Sequence, residues 1–136
     1  MPDTKTILLV EDEDLLVILQ TEWLERLGFN VIAVSSGEKA IEVVQTTPGV
    51  DLILMDINLG PGMDGTEAAS RILKDHDIPV VFLSSHEGEE IAARTKEVAS
   101  YGYVVKDGDM TALDDSVKMA LKLHEAHRVL KKKEGD

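Results

Sequence analysis

Cysteine is absent from the 136 residues, which excludes disulfide frameworks, thiolate nucleophiles and thiolate zinc sites and fits a reducing compartment. Aromatics are scarce, with one Trp, two Tyr and two Phe, too few to stack bases along a nucleic-acid groove. Positive charge is short as well: 14 Lys and Arg stand against 26 Asp and Glu, a formal net charge of -12. Holding a phosphate backbone needs a basic stripe, so neither DNA nor RNA is an expected partner, whereas cations and basic protein surfaces are. No apolar run approaches the ~18 residues of a membrane span, and no charged-then-apolar leader opens the sequence. A cytoplasmic protein that meets no membrane is therefore expected. What remains, 43% hydrophobic and 29% charged residues, has the composition and length of a single compact domain.

Within that length, two kinds of apolar segment alternate. Short unbroken runs occur at 7–10 (ILLV), 31–34 (VIAV), 52–55 (LILM), 80–83 (VVFL) and 103–105 (YVV). Unbroken apolarity at strand length implies cover on both faces, as in a parallel sheet between helices. The intervening stretches have helical spacing. Leu16, Leu19, Trp23 and Leu27 recur at threes and fours before Gly28, a helix stop. Ser35 with Glu38, and Asp64 with Glu67, have the spacing of capping boxes. The order is β-α five times over, which predicts an α/β doubly wound fold. The fourth helical stretch, 87–99, carries Gly88 in its first turn and a thin apolar stripe of Ile91, Thr95 and Val98, so it is expected to be the least firmly held. The last, from about Thr111, carries Leu113, Val117, Leu121 and His124 on one face and Met119, Leu123, Ala126 and Leu130 on another. One sheet can bury only the first of these stripes. The second has coiled-coil spacing and suits a homodimer or a partner helix; the alternative is a solvated tail, since Arg128, Lys131, Lys132 and Lys133 crowd the last turns.

Ligands of such a sheet bind beyond the carboxyl ends of the strands, where the strand order reverses; for the order 2-1-3-4-5 that point lies between strands 1 and 3. Glu11, Asp12, Glu13 and Asp14 follow strand 1, and Asp56 follows strand 3. Neither a glycine-rich first turn nor a P-loop is present. Converging carboxylates repel unless a cation sits among them, and Mg²⁺ suits two or three carboxylates with waters left for a phosphate to replace. Glu13 and Asp14 are expected to do no more than place negative charge at a helix N-terminus. Strand 4 delivers Ser84, Ser85 and His86, and strand 5 delivers Lys106. Singly these read as a helix cap and a solvated lysine; together they make an inventory for phosphoryl transfer.

The segments 7–13 (ILLVEDE), 51–56 (DLILMD), 63–65 (MDG), 79–85 (PVVFLSS) and 101–106 (YGYVVK) resemble the receiver domains of two-component response regulators, over residues 4–124. The resemblance implies a flavodoxin-like five-stranded parallel sheet of order 2-1-3-4-5, with residues 125–136 as a basic helical extension. It makes Asp56 the phosphoacceptor, served by a sensor histidine kinase or a phosphotransfer protein. Mg²⁺ would be held by Asp12, by Asp56, by Glu11 mainly through water, and by the Asn58 backbone carbonyl. Ser84 and Lys106 would stabilise the phosphoryl oxygens. Ser84 and Tyr103 would act as the switch that reports to the face of the fourth helix, fifth strand and fifth helix; Tyr103 also reads simply as core filler. Asn58 and His86 are candidate modulators of the lifetime of the phosphorylated state, although His86 also reads as a solvent-facing histidine. No enzymatic turnover is implied beyond self-phosphorylation from small donors and self-dephosphorylation.

The sequence departs from the family pattern in two places. The loop from Asp56 to Gly65 is one residue longer than usual, and its added glycines leave its path open. Asp107 rather than proline follows Lys106, so a trans peptide is expected there, because a cis bond without proline costs ~2.5–4 kcal/mol. His124 and His127 have chelating spacing but no third ligand in view. Two other functions stay open at this stage. A phosphohydrolase with an aspartate nucleophile resembles Asp-x-Asp after the strand, where this chain has Asn58. A constitutive binding module would never be phosphorylated at all.

Overall fold

A computed structural model describes residues 4–84, 103–105 and 110–135; at Ser84, 103–105, 110–112 and 131–135 only the backbone is described. The chain runs β1 (Thr6–Val10), α1 (Asp14–Arg26), β2 (Asn30–Val34), α2 (Gly37–Thr46), β3 (Leu52–Asp56), α3 (Gly65–Asp75), β4 (Val80–Ser84), β5 (Tyr103–Val105) and a C-terminal helix (Met110–Gly135). All five strands are parallel, in the order β2-β1-β3-β4-β5. The expected sheet and its reversal point between β1 and β3 are thus observed. The fourth helical stretch, 87–99, lies outside the described residues.

The unbroken apolar runs divide by the two-residue period of a strand. Leu8, Val10, Ile53, Met55, Val80 and Phe82 face α2 and α3, where Ala40, Val44, Ala68, Ala69 and Ile72 meet them. Ile7, Leu9, Leu52, Leu54, Val81 and Leu83 face the other way, onto Leu24 of α1 and Leu113, Val117 and Ala120 of the C-terminal helix. β3, at the centre, is buried at all five positions. β2 departs from the expectation of cover on both faces: Asn30 and Ala33 are exposed and the rest half-buried, because it is the sheet's edge. Asp51 ties the starts of two strands together, its Oδ2 accepting the Thr6 N–H at 2.8 Å while its own N–H donates to the Thr6 carbonyl at 2.8 Å.

The helix expected from the spacing of Leu16, Leu19, Trp23 and Leu27 is α1, but its inward face runs through Gln20 and Leu24, with Leu19 and Leu27 exposed and Leu16 and Trp23 half-buried. Residues 15–19 are all apolar, so several stripes satisfy helical spacing and only the sheet decides among them. The cap of α2 is Ser36, whose side chain accepts the Lys39 N–H at 3.1 Å, and not Ser35. Asp64 does cap α3, its Oδ1 accepting the Glu67 N–H at 2.9 Å. Gly28 ends α1 at φ +98°, a conformation open to glycine at little cost. On the C-terminal helix, Leu113 and Val117 are buried and Leu121 and His124 half-buried, as the first stripe requires; Met119, Leu123, Ala126 and Leu130 are exposed.

Candidate metal and phosphoryl site

The sheet brings three carboxylates to one rim. Glu11 directly follows β1, and its N–H donates to the Val34 carbonyl at 3.1 Å, which carries the ladder with β2 one residue past the strand. Asp56 ends β3, opposite Leu83, and the next N–H, of Ile57, donates to the Leu83 carbonyl at 3.0 Å. Backbone bonds therefore fix both rim positions before any side chain is considered. Glu11 is fully buried, Asp56 is 1% exposed and Asp12 is open to solvent. One carboxylate oxygen from each lies within 4.8 Å of the other two.

Backbone amides orient two of these groups. Glu11 Oε2 accepts the N–H groups of Asp12 and Glu13, at 3.1 and 3.3 Å. Asp56 Oδ1 accepts the Asn58 N–H at 3.2 Å. These bonds leave a large repulsion: two like charges 4.8 Å apart oppose one another by about 3 kcal/mol at an effective dielectric near 20. An oxygen-only set, two of its members buried and one open to water, fits a hard divalent cation that keeps part of its hydration shell. Mg²⁺ therefore fits the residues present.

The loop after Asp56 gives the site room. Ile57 and Leu59 are buried in the core beside α2 and α3, and the Gly65 N–H donates to the Ile57 carbonyl at 2.9 Å. The loop is pinned at both ends rather than open in path. Gly60, at φ +73°, passes so close to Asp12 that a Cβ there would stand 3.3 Å from Asp12 Oδ2. At Gly65 a Cβ would overlap the Asp56 carbonyl oxygen. Sequence reasoning marked Gly65 as part of a motif without this reason; the close approach follows from the way the loop returns to β3.

Of the other expected site residues, Asn58 is exposed two residues past Asp56. Ser84 ends β4 in register with Val105, one step beyond the Asp56–Leu83 pair, and Tyr103 opens β5 opposite Phe82. Their side chains, with His86, Lys106 and the Lys106–Asp107 peptide, lie outside the described residues. Glu13 is the N-cap of α1 and makes no side-chain cap bond; Asp14 puts its charge in the first turn. His124 Nε2 lies 3.2 Å from Asp77 Oδ1, far from the rim. No helix of the described residues is long and apolar enough to cross a membrane.

A solved structure, the N-terminal domain of a response regulator/sensory box/GGDEF three-domain protein from Carboxydothermus hydrogenoformans, is 40% identical. It superposes with a TM-score of 0.84, covering 90% of this chain and 98% of that one. Sporulation initiation phosphotransferase F of Bacillus subtilis is 30% identical over 118 residues, 86% of this chain and 94% of that protein. The response regulator TrrA of Thermotoga maritima, solved in complex with Mg²⁺ and BeF, is 29% identical at a TM-score of 0.76, over 86% of this chain and 99% of that one. The chain spans 31%, 44% and 57% of the length of the first curated relatives it matches. The sequence model of the response regulator receiver domain matches residues 7–118, and the chain belongs to that family.

Proposed function

We propose that the chain is a phosphorylation switch that accepts a phosphoryl group on Asp56 from the phosphohistidine of a sensor histidine kinase or a phosphotransfer protein. The observation that carries this reading is the burial of Asp56 at the end of β3 with Glu11 and Asp12 oxygens within 4.8 Å. An Asp56 carboxylate oxygen forms a bond to phosphorus as the bond from phosphorus to the imidazole nitrogen breaks. The electron pair stays with the imidazole, and the product is an acyl phosphate. Mg²⁺, when bound, offsets the negative charge of the carboxylates and of the incoming phosphoryl group. Glu11, Asp12, Asp56 and the Asn58 carbonyl would hold it. Ser84 and Lys106, from the ends of β4 and β5, donate to the phosphoryl oxygens, and their movement with Tyr103 alters the face beside β5. In this reading Asn58, two residues past Asp56, and His86, two past Ser84 in the sequence, modulate how long the acyl phosphate survives.

The family is regulatory, and in this reading the chain's chemistry is limited to forming and losing its own phosphate, with output through protein contact. In this reading the encounter takes place in the cytoplasm. The likeness to a phosphotransferase and to a regulator solved with Mg²⁺ and BeF supports the reading. Titration with beryllofluoride or a small phosphodonor, followed by amide NMR, tests it. Signals around Asp56 and β5 shift only when Mg²⁺ is present, and Asp56→Asn abolishes the response. An equal response from Asp56→Asn, or none from the wild type, sinks the proposal.

A further inference from the structure

The C-terminal helix outruns the body it packs on. Among the described side chains its last half-buried residue is His124, whose Nε2 lies 3.2 Å from Asp77 Oδ1; Glu125 to Leu130 are all exposed, and the helix continues to Gly135. Along its outer side Met119, Leu123 and Leu130 are 55%, 43% and 55% exposed, and Ala126 completes a four-three-four spacing. These apolar side chains, with exposed Val129 to one side of them, are a seam for another helix.

We infer that this seam takes a second copy of the same chain, with the two helices antiparallel. Side-chain size argues for that direction. A parallel pair stacks Ala126 on Ala126 and leaves a gap between bulky layers. An antiparallel pair sets Leu123 against Ala126 of the other copy and Met119 against Leu130, so large meets small at the centre. Charge argues the same way. Residues 128–133 hold four Lys and Arg and no Asp or Glu, whereas 1–117 hold 23 Asp and Glu against eight Lys and Arg. Parallel pairing lays the two basic ends side by side. Antiparallel pairing separates the two basic ends and brings Lys133 level with Asp115 of the other copy, both about 50° to the same side of the seam. Asp115 is exposed, while Lys118, further round, lies 3.3 Å from Asp114 within its own helix.

The shapes are compatible. Each body attaches to the first part of its helix, and in the antiparallel pair that part faces the stretch 125–130 of the other helix, which is exposed throughout. The two bodies are therefore offset along an overlap of roughly 27 Å, the length of 18 helical residues.

The absence of native cysteine allows a direct test in the full chain. Sedimentation velocity is expected to show a concentration-dependent dimer that weakens as salt rises. Leu130→Glu, placed beyond the body, abolishes it and leaves the beryllofluoride response of Asp56 unchanged. Under mild oxidation, a mixture of Met119→Cys and Leu130→Cys chains forms the mixed disulfide, and neither variant links efficiently to itself. Three outcomes overturn the inference: a monomer at every concentration, a dimer that survives both Leu130→Glu and Leu123→Glu, or self-linked Met119→Cys in preference to the mixed species. Because the phosphorylation response is read separately, failure of the dimer is distinguishable from failure of the switch.

Discussion

Gly65 shows how much of the site rests on an atom that is missing. A Cβ at this position would overlap the carbonyl oxygen of Asp56, and neither partner can yield easily, since one opens α3 and the other ends the central strand. Gly65→Ala is therefore expected to cost about 2–3 kcal/mol, read as a fall of roughly 5–10 °C in the melting midpoint. Gly49→Ala is the control: φ is +97° there but no atom lies within 4 Å of the added Cβ, so only backbone strain of about 1 kcal/mol applies. Equal losses in the two variants would show that the contact with Asp56 contributes nothing. Among single residues, the carboxylates were legible in the sequence, because a charged residue directly after an unbroken apolar run must sit at a strand end. Gly60 and Gly65 were not legible in the same way. Their role depends on where a nine-residue return path passes, and composition does not encode that.

Between residues and the whole molecule, the elements were legible where one pattern had one solution. Strands flanked by helices leave little choice of sheet, and Asp64 was marked as a cap by Glu67 three residues on. Where a pattern has several solutions, only the packed structure chooses among them. Residues 15–19 of α1 are apolar throughout, so spacing could not select the inward face, and the sheet selects one that buries Gln20. At α2 two consecutive serines compete for one cap. Ser36 wins, since its side chain reaches the Lys39 N–H at 3.1 Å, while Ser35 Oγ stands 3.4 Å from the Lys39 Nζ in an exposed contact. Ser36→Ala is accordingly expected to lose about 1 kcal/mol of stability in chemical denaturation, and Ser35→Ala close to nothing. The reverse order would return the cap to Ser35.

At the scale of the molecule, a net charge of -12 acts in two ways that Mg²⁺ and simple salt separate. The acidic residues spread over the surface repel one another weakly and at long range, and any added electrolyte screens that repulsion. Glu11, Asp12 and Asp56 differ in being forced within 4.8 Å of one another by strand ends that backbone bonds hold in place. Screening does little for two carboxylates that are buried. A divalent cation seated among them acts directly, and because it binds the folded chain alone it stabilises by mass action. Thermal unfolding in MgCl₂ and in NaCl of matched ionic strength should therefore differ. At about ten times its dissociation constant Mg²⁺ adds roughly 1.4 kcal/mol, or about 4 °C, beyond what NaCl provides. Asp12→Asn should lose most of that excess while retaining the response to NaCl, since Asp12 is the exposed member of the set and its loss leaves the core intact. If MgCl₂ and NaCl shift the wild-type midpoint equally, the rim carboxylates act only as part of the general surface charge, and the metal site is absent.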